Sequence, residues 1–192
     1  MSSFKDSHVL EWNFTGDGSY AYAITSDASG NFYITGKTNG DIYIAKFNSS
    51  GHLQWNHTWS GNGFEDPNEI ALDSVNNIYL GGFIYDGIDY FRYFLVKFNT
   101  VGDYQWNQTW GGSTADYCYG MAIDSVDNIY LVGSTQNFTV NVEMCLVKFN
   151  SLGQYQWNRT WGVSGFDRGH DIVIDSSDNI YFTGVLGRMY LL

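Results

Sequence analysis

Ten side chains have the types from which a site is built: Tyr22, Glu65, Asp66, Asn68, Glu69, Asp116, Tyr119, Asp167, His170 and Asp171. His170 next to Asp171 sets a proton carrier beside a carboxylate, the combination that general acid–base chemistry uses. Asp17, Glu65, Asp66, Glu69, Asp86, Asp89, Asp116, Asp167 and Asp171 supply hard oxygen donors of the kind Ca²⁺ prefers. No D-x-D-x-D-G loop gathers them, so they are expected to form a solvated acidic rim, with no metal and no cofactor. Nor does the chain contain a Ser-His-Asp, H-E-x-x-H or C-x-x-C spacing, and no catalytic residue is assigned.

Composition removes further classes. The formal charge of −11 opposes a phosphate-binding surface, because nucleic-acid recognition depends on clustered Lys and Arg. A basic membrane-binding helix is absent for the same reason, and no run of about 18 apolar residues suggests membrane insertion. Cys118 and Cys145 lie 27 positions apart, which fits neither a disulfide framework nor a metal spacing, and they read as buried free thiols. The opening Met1-Ser-Ser-Phe-Lys-Asp-Ser-His8 lacks the apolar core of a signal peptide. Sequons at Asn13, Asn48, Asn56, Asn107, Asn137 and Asn158 would suit a secreted protein, yet four of them occupy one repeated position and follow equally from a strand pattern.

That repeat governs the positions of the candidate residues. Asp73-Ser-Val-Asn-Asn77-Ile-Tyr79-Leu-Gly-Gly82, then Lys97-Phe98-Asn99, then Tyr104-Gln-Trp106-Asn107-Gln-Thr109-Trp110 recur 51 positions later at Asp124–Gly133, Lys148–Asn150 and Tyr155–Trp161. Each unit holds four short runs rich in Tyr, Ile, Phe, Val, Thr and Trp, separated by Asp, Asn, Ser and Gly, which is the pattern of strands joined by tight turns. In the second unit strand A covers 67–73, B 77–82, C 91–98 and D 103–110. Pro67 falls at the start of strand A, a position proline tolerates. Gly102 closes the C–D turn as the residue that accepts positive φ most easily.

Tandem four-stranded units of this period predict an all-β fold, a β-propeller of four-stranded antiparallel blades in one domain over 1–192. The blades are expected at about 16–59, 60–110, 111–161, and 162–192 plus 4–15, four in all, because residues 4–15 align on the D-strand segment that the last unit lacks. The amino-terminal strand would then close the last blade like a clasp. Trp and Tyr side chains are expected to pack between adjacent blades. The first repeat is eight residues shorter, three lost between D and A and five between B and C. Both connections lie on one face of an up-and-down blade, where repeat proteins usually bind. Asp73, Asp124 and Asp175 recur at the opposite face and read as turn builders, whereas Lys46, Lys97 and Lys148 are expected to pack their stems and extend their ammonium groups to solvent. His170-Asp171 shares the register of Asn68-Glu69 and Tyr119-Gly120, so these side chains would line a central channel with Tyr22.

The patterns D-S-x-x-N-I-Y-x-x-G, V-K-F-N-x-x-G and Q-W-N-x-T-W-G resemble the bacterial and archaeal beta-propeller repeat family called SBBP, over nearly the whole chain. The resemblance implies a surface or secreted repeat protein, commonly with seven blades, and carries no shared catalytic residues. The expected function is a non-enzymatic scaffold or binding module for a protein or glycan on the D–A and B–C face. The alternatives are a hydrolase or lyase using channel carboxylates and His170, and a self-associating fragment of a larger propeller. A monomer is the favoured form, with a dimer completing a larger ring as the other arrangement.

Overall fold

The computed structural model describes residues 20–61, 63–85, 87, 90–112, 114–136, 141–163 and 165–187. Among the described residues, runs rich in β-branched and aromatic side chains form fourteen strands. The first sheet comprises β1 (Tyr20–Ser26), β2 (Phe32–Thr38), β3 (Asp41–Phe47) and β4 (Leu53–Trp59). The second comprises β5 (Phe64–Leu72), β6 (Ile78–Tyr85), β7 (Phe91–Phe98) and β8 (Tyr104–Trp110), and the third β9 (Asp116–Ile123), β10 (Ile129–Gln136), β11 (Val142–Phe149) and β12 (Tyr155–Trp161). Among the described residues the fourth holds β13 (Arg168–Ile174) and β14 (Ile180–Val185). Strands follow chain order within every sheet and all strand pairs are antiparallel, so each sheet is an up-and-down meander. Residues 4–15 and 189–192, expected to complete the last blade, lie outside the described residues.

The strands expected in the first three sheets form, with two corrections of boundary, the first being that strand B of the second sheet, expected at 77–82, runs on to Tyr85. The other is that strand A of the same sheet begins at Phe64, so Pro67 is inside it and pairs with Gly82. Proline is accommodated because β5 is an edge strand, where the missing N–H deprives no neighbour. Turn chemistry explains the rest. Gly51, Gly102 and Gly153 take positive φ in the three C–D turns, as expected of Gly102. In the first sheet the B–C connection is the two-residue turn Asn39-Gly40, both at positive φ, the chemistry of a tight hairpin, and this accounts for the residues lost between B and C.

Inner strands of consecutive sheets are neighbours, β1 with β5, β5 with β9 and β9 with β13. The core fills the gaps between sheet faces. Tyr33, Ile42 and Ile44 of the first sheet meet Ile70, Leu80 and Phe94 of the second, and Tyr79, Tyr93 and Leu95 meet Cys118, Met121 and Leu131 of the third. Tyr130, Val132 and Leu146 meet Ile172 of the fourth. Trp55, Trp59, Trp106, Trp110 and Trp157 pack against these clusters, which fits the inter-blade role expected of the tryptophans, although Trp161 is exposed.

Candidate functional site

Every inner strand carries a β-bulge at the same register. Pairing skips Tyr22 between Ala21 and Ala23, Asn68 between Pro67 and Glu69, Tyr119 between Cys118 and Gly120, and His170 between Gly169 and Asp171. A bulge leaves one residue without a cross-strand partner and re-aims its side chain. The four candidates Tyr22, Asn68, Tyr119 and His170 are therefore these extra residues. Each bulge sits against a recurring glycine of strand B. A Cβ on Gly36, Gly82, Gly133 or Gly184 would overlap the carbonyl oxygen of Tyr20, Asp66, Tyr117 or Arg168 respectively. Only a residue without a side chain permits the inner strand to fold over at that point.

The neighbouring side chains set the local electrostatics. Tyr119 and His170 stand with ring centroids 6.2 Å apart, and Tyr119 stacks on Tyr117. The guanidinium of Arg168 lies 4.9 Å from the Tyr119 ring centroid. Asn68 donates its side-chain amide to the Cys118 carbonyl at 2.7 Å, which orients the amide and leaves its oxygen as an acceptor. The residue after each bulge alternates between small and acidic, Ala23, Glu69, Gly120 and Asp171 in chain order. Burial and the charge of Asp171 push the Glu69 carboxyl up to about 7, so two acids from the second and fourth sheets act on each other. Asp171 is exposed and accepts from the Ile172 N–H at 2.8 Å.

Glu65, Asp116 and Asp167 depart from the solvated rim expected of them. All three are buried and fold back on their own D–A loops. Glu65 accepts from the Gly63 N–H at 3.1 Å, Asp116 from the Gly112 N–H at 3.0 Å and from the Thr135 hydroxyl, and Asp167 from the N–H groups of Val163 and Gly187 at 3.0 and 2.6 Å. A buried carboxylate persists where such donors satisfy it, so these acids brace the loops. Burial still raises the carboxyls of Glu65 and Asp116. Asp66 is also engaged, at 3.0 Å from the nearly buried ammonium of Lys37, which itself lies 3.4 Å from the Phe64 ring centroid. Asp17, Asp86 and Asp89 lie outside the described residues, and among those described no three His, Cys, Asp or Glu side chains are placed to share a metal ion.

On the opposite face the repeated Asp, Asn, Tyr and Lys form one device. Asp73 accepts from the N–H groups of Val75 and Asn77, the Asn77 amide and the Tyr79 hydroxyl, and Asp27, Asp124 and Asp175 repeat the arrangement. Burial pushes the Asp124 carboxyl up, but hydrogen bonds from Asn128, Val126 and Tyr130 outweigh it and hold the group below the usual carboxylate range. Lys46, Lys97 and Lys148 place their ammonium groups over the rings of Tyr33, Tyr79 and Tyr130, 4.8 to 4.9 Å from the centroids, instead of extending them to solvent. Cation–π attraction holds them there, joined for Lys97 and Lys148 by the carboxylates of Asp73 and Asp124. A link between sheets escaped the sequence reading. Ser74 gives its N–H and hydroxyl to the Asp127 carboxylate, both at 2.8 Å, and Ser125 does the same to Asp178 at 2.9 and 2.7 Å. Cys118 and Cys145 are buried free thiols, and burial raises both, Cys145 to about 12.

Residues 105–138 match the SBBP family, described as a beta-propeller repeat. An uncharacterised WD repeat-containing protein of Acanthamoeba polyphaga mimivirus is 24% identical over 176 residues, covering 64% of this chain and 12% of that protein. Among solved structures, the Dos1 propeller shares 13% identity at a TM-score of 0.57, covering 85% of this chain and 42% of its own. A catalytically inactive virginiamycin B lyase from Staphylococcus aureus, solved with quinupristin, shares 15% at 0.55, covering 90% and 51%. A Bacteroides caccae protein of unknown function shares 8% at 0.53, covering 86% and 53%. The chain thus spans about an eighth of the length of its curated relative and about half of these solved chains, and its fold is that of a β-propeller.

Proposed function

We propose that this chain is a non-enzymatic propeller scaffold that binds a glycan at the inner strands, through Tyr22, Asn68, Tyr119 and His170 with Glu69 and Asp171. The observation that carries this is the difference between frame and display. The glycine, the bulge and the turn devices repeat from sheet to sheet, whereas the bulged residue changes to Tyr, Asn, Tyr or His. A purely structural position in a repeat would keep one residue type. Aromatic faces suit the C–H face of a sugar ring, and amide, imidazole and carboxylate groups suit its hydroxyls, the mixture of apolar wall and few polar groups found in small-molecule sites. Calorimetric titration with a panel of mono- and oligosaccharides tests this, with loss of binding expected in His170→Ala and Tyr22→Ala. A panel that yields no ligand, or binding indifferent to both substitutions, would overturn the reading.

A second reading rests on Glu69. A carboxyl near 7 that feels the charge of Asp171 is matched to proton transfer at neutral pH, and a lyase occurs among the proteins sharing this fold. Glu69→Gln separates the two by its effect on turnover, which an acid–base site loses and a binding site does not have to lose.

A further inference from the structure

The residue after each strand-B glycine meets the inner strand of the following sheet, and the contact differs from joint to joint. At the first joint Lys37 is 3.0 Å from the Asp66 carboxylate, and at the second Phe83 packs edge-on to Tyr117 with ring centroids 5.2 Å apart. At the third the same register sets Ser134 toward Arg168. Neither is answered there. The hydroxyl of Ser134, a residue 1% exposed, and the buried Nε of Arg168 have no hydrogen-bond partner, and no carboxylate among the described residues pairs with the guanidinium. Buried polar groups and cations are ordinarily satisfied, as the first joint satisfies Lys37. Burial raises the Tyr119 hydroxyl while Arg168 and Ser134 oppose it, so both stand near that phenol, Ser134 without closing a hydrogen bond to it. Residues 137–140 and 164, which flank the pair in sequence outside the described residues, are Asn, Phe, Thr, Val and Ser and bring no acid.

We propose that the sugar this chain binds is an acidic one, a uronate, whose carboxylate is held in the third joint by the Arg168 guanidinium and the Ser134 hydroxyl. The inference rests on the glycan reading above and names the class of sugar. A water molecule could satisfy the serine but would leave the positive charge unanswered. A carboxylate accepts from the N–H and O–H donors together and supplies the opposite charge, as Asp66 does for Lys37 one register-equivalent joint away. The surroundings suit the rest of a sugar chain. Arg168 lies 4.9 Å from the ring centroids of both Tyr119 and Phe166, and Tyr119 leads through Tyr117 to Phe91 at centroid spacings of 6.3 and 5.0 Å. This row of rings runs from the cation along the D–A and B–C face, and aromatic faces are surfaces on which sugar rings stack. Phe166, 53% exposed, is the ring that a uronate displaces to reach the buried donors.

Calorimetric titration of the full chain with a trisaccharide ending in glucuronate, and with the same trisaccharide ending in glucose, tests the assignment. The acid is expected to bind about tenfold more tightly or better. Arg168→Gln should bring the acid down to the affinity of the neutral sugar and leave the neutral sugar unchanged. Ser134→Ala removes a buried hydroxyl that nothing in the chain satisfies, so it should weaken the acid alone while holding or raising the thermal midpoint. That pairing keeps the test intact if Arg168→Gln fails to fold. Equal affinity for the two trisaccharides, or a preference for the acid that survives both substitutions, overturns this inference and leaves the glycan reading standing. Absence of binding by any sugar of either kind removes both.

Discussion

Tyr119 and His170 stand on adjacent inner strands at matching bulges, with ring centroids 6.2 Å apart. His170 is exposed, so truncating it removes a side chain that contributes little to folding. His170→Ala is expected to weaken sugar binding by about tenfold or more while shifting stability by under about 0.5 kcal/mol. Calorimetry paired with thermal melts checks both halves.

Glu69 makes stability depend on pH in a definite direction. Its folded carboxyl, at about 7, lies above its ordinary value of 4.5, so between these values the folded state holds a proton that the unfolded chain has released. Stability from this group is present in full below about 4.5 and declines as pH rises through 7. Glu69→Gln removes the ionisation and should raise the unfolding free energy obtained from urea denaturation at pH 8 relative to the parent, by less than about 3 kcal/mol once solvent access is allowed for, and leave it unchanged at pH 4.

Asp124 has the opposite sign. Its carboxyl is held below its ordinary value of 3.8, so the stability it contributes is present above that value and is lost as the pH falls through the lower, folded one. Asp124→Ala strands the Tyr130 hydroxyl, the Asn128 amide and two N–H groups, and about 2–3 kcal/mol should be lost at neutral pH. Chemical denaturation from pH 7 down to pH 3 should show parent and variant converging.

Gly133→Ala forces a methyl group against the Tyr117 carbonyl oxygen beneath the bulge. About 3 kcal/mol or outright failure to fold is expected, whereas Gly112→Ala, which meets open space, should be close to neutral. Urea denaturation of the two side by side is the measurement.

Much of this architecture could be read from the order of residues alone, because a 51-residue recurrence and period-two alternation are one-dimensional signals. The four bulged residues were gathered correctly by register, but the reason for their position was not visible. A bulge is a relation between two strands, and its trace in the sequence is the glycine that ends D-S-x-x-N-I-Y-x-x-G. From sequence, Glu65, Asp116 and Asp167 belong to a wet rim, because loop acids usually face water. What reverses that expectation is the set of inward N–H groups around them, which depends on loop geometry. The lysines misled in a related way, since the attraction of an ammonium for a ring depends on which face of the sheet the ring occupies.

Because the bulged residue answers to no cross-strand neighbour, its identity is uncoupled from the hydrogen-bond ladder that carries the fold. Substitutions at Tyr22 and His170 are therefore expected to leave that ladder intact, whereas Asn68 also ties its sheet to the Cys118 carbonyl of the next. A library randomised at Tyr22 and His170 should retain the melting behaviour of the parent, so that the frame tolerates change where the ladder is interrupted.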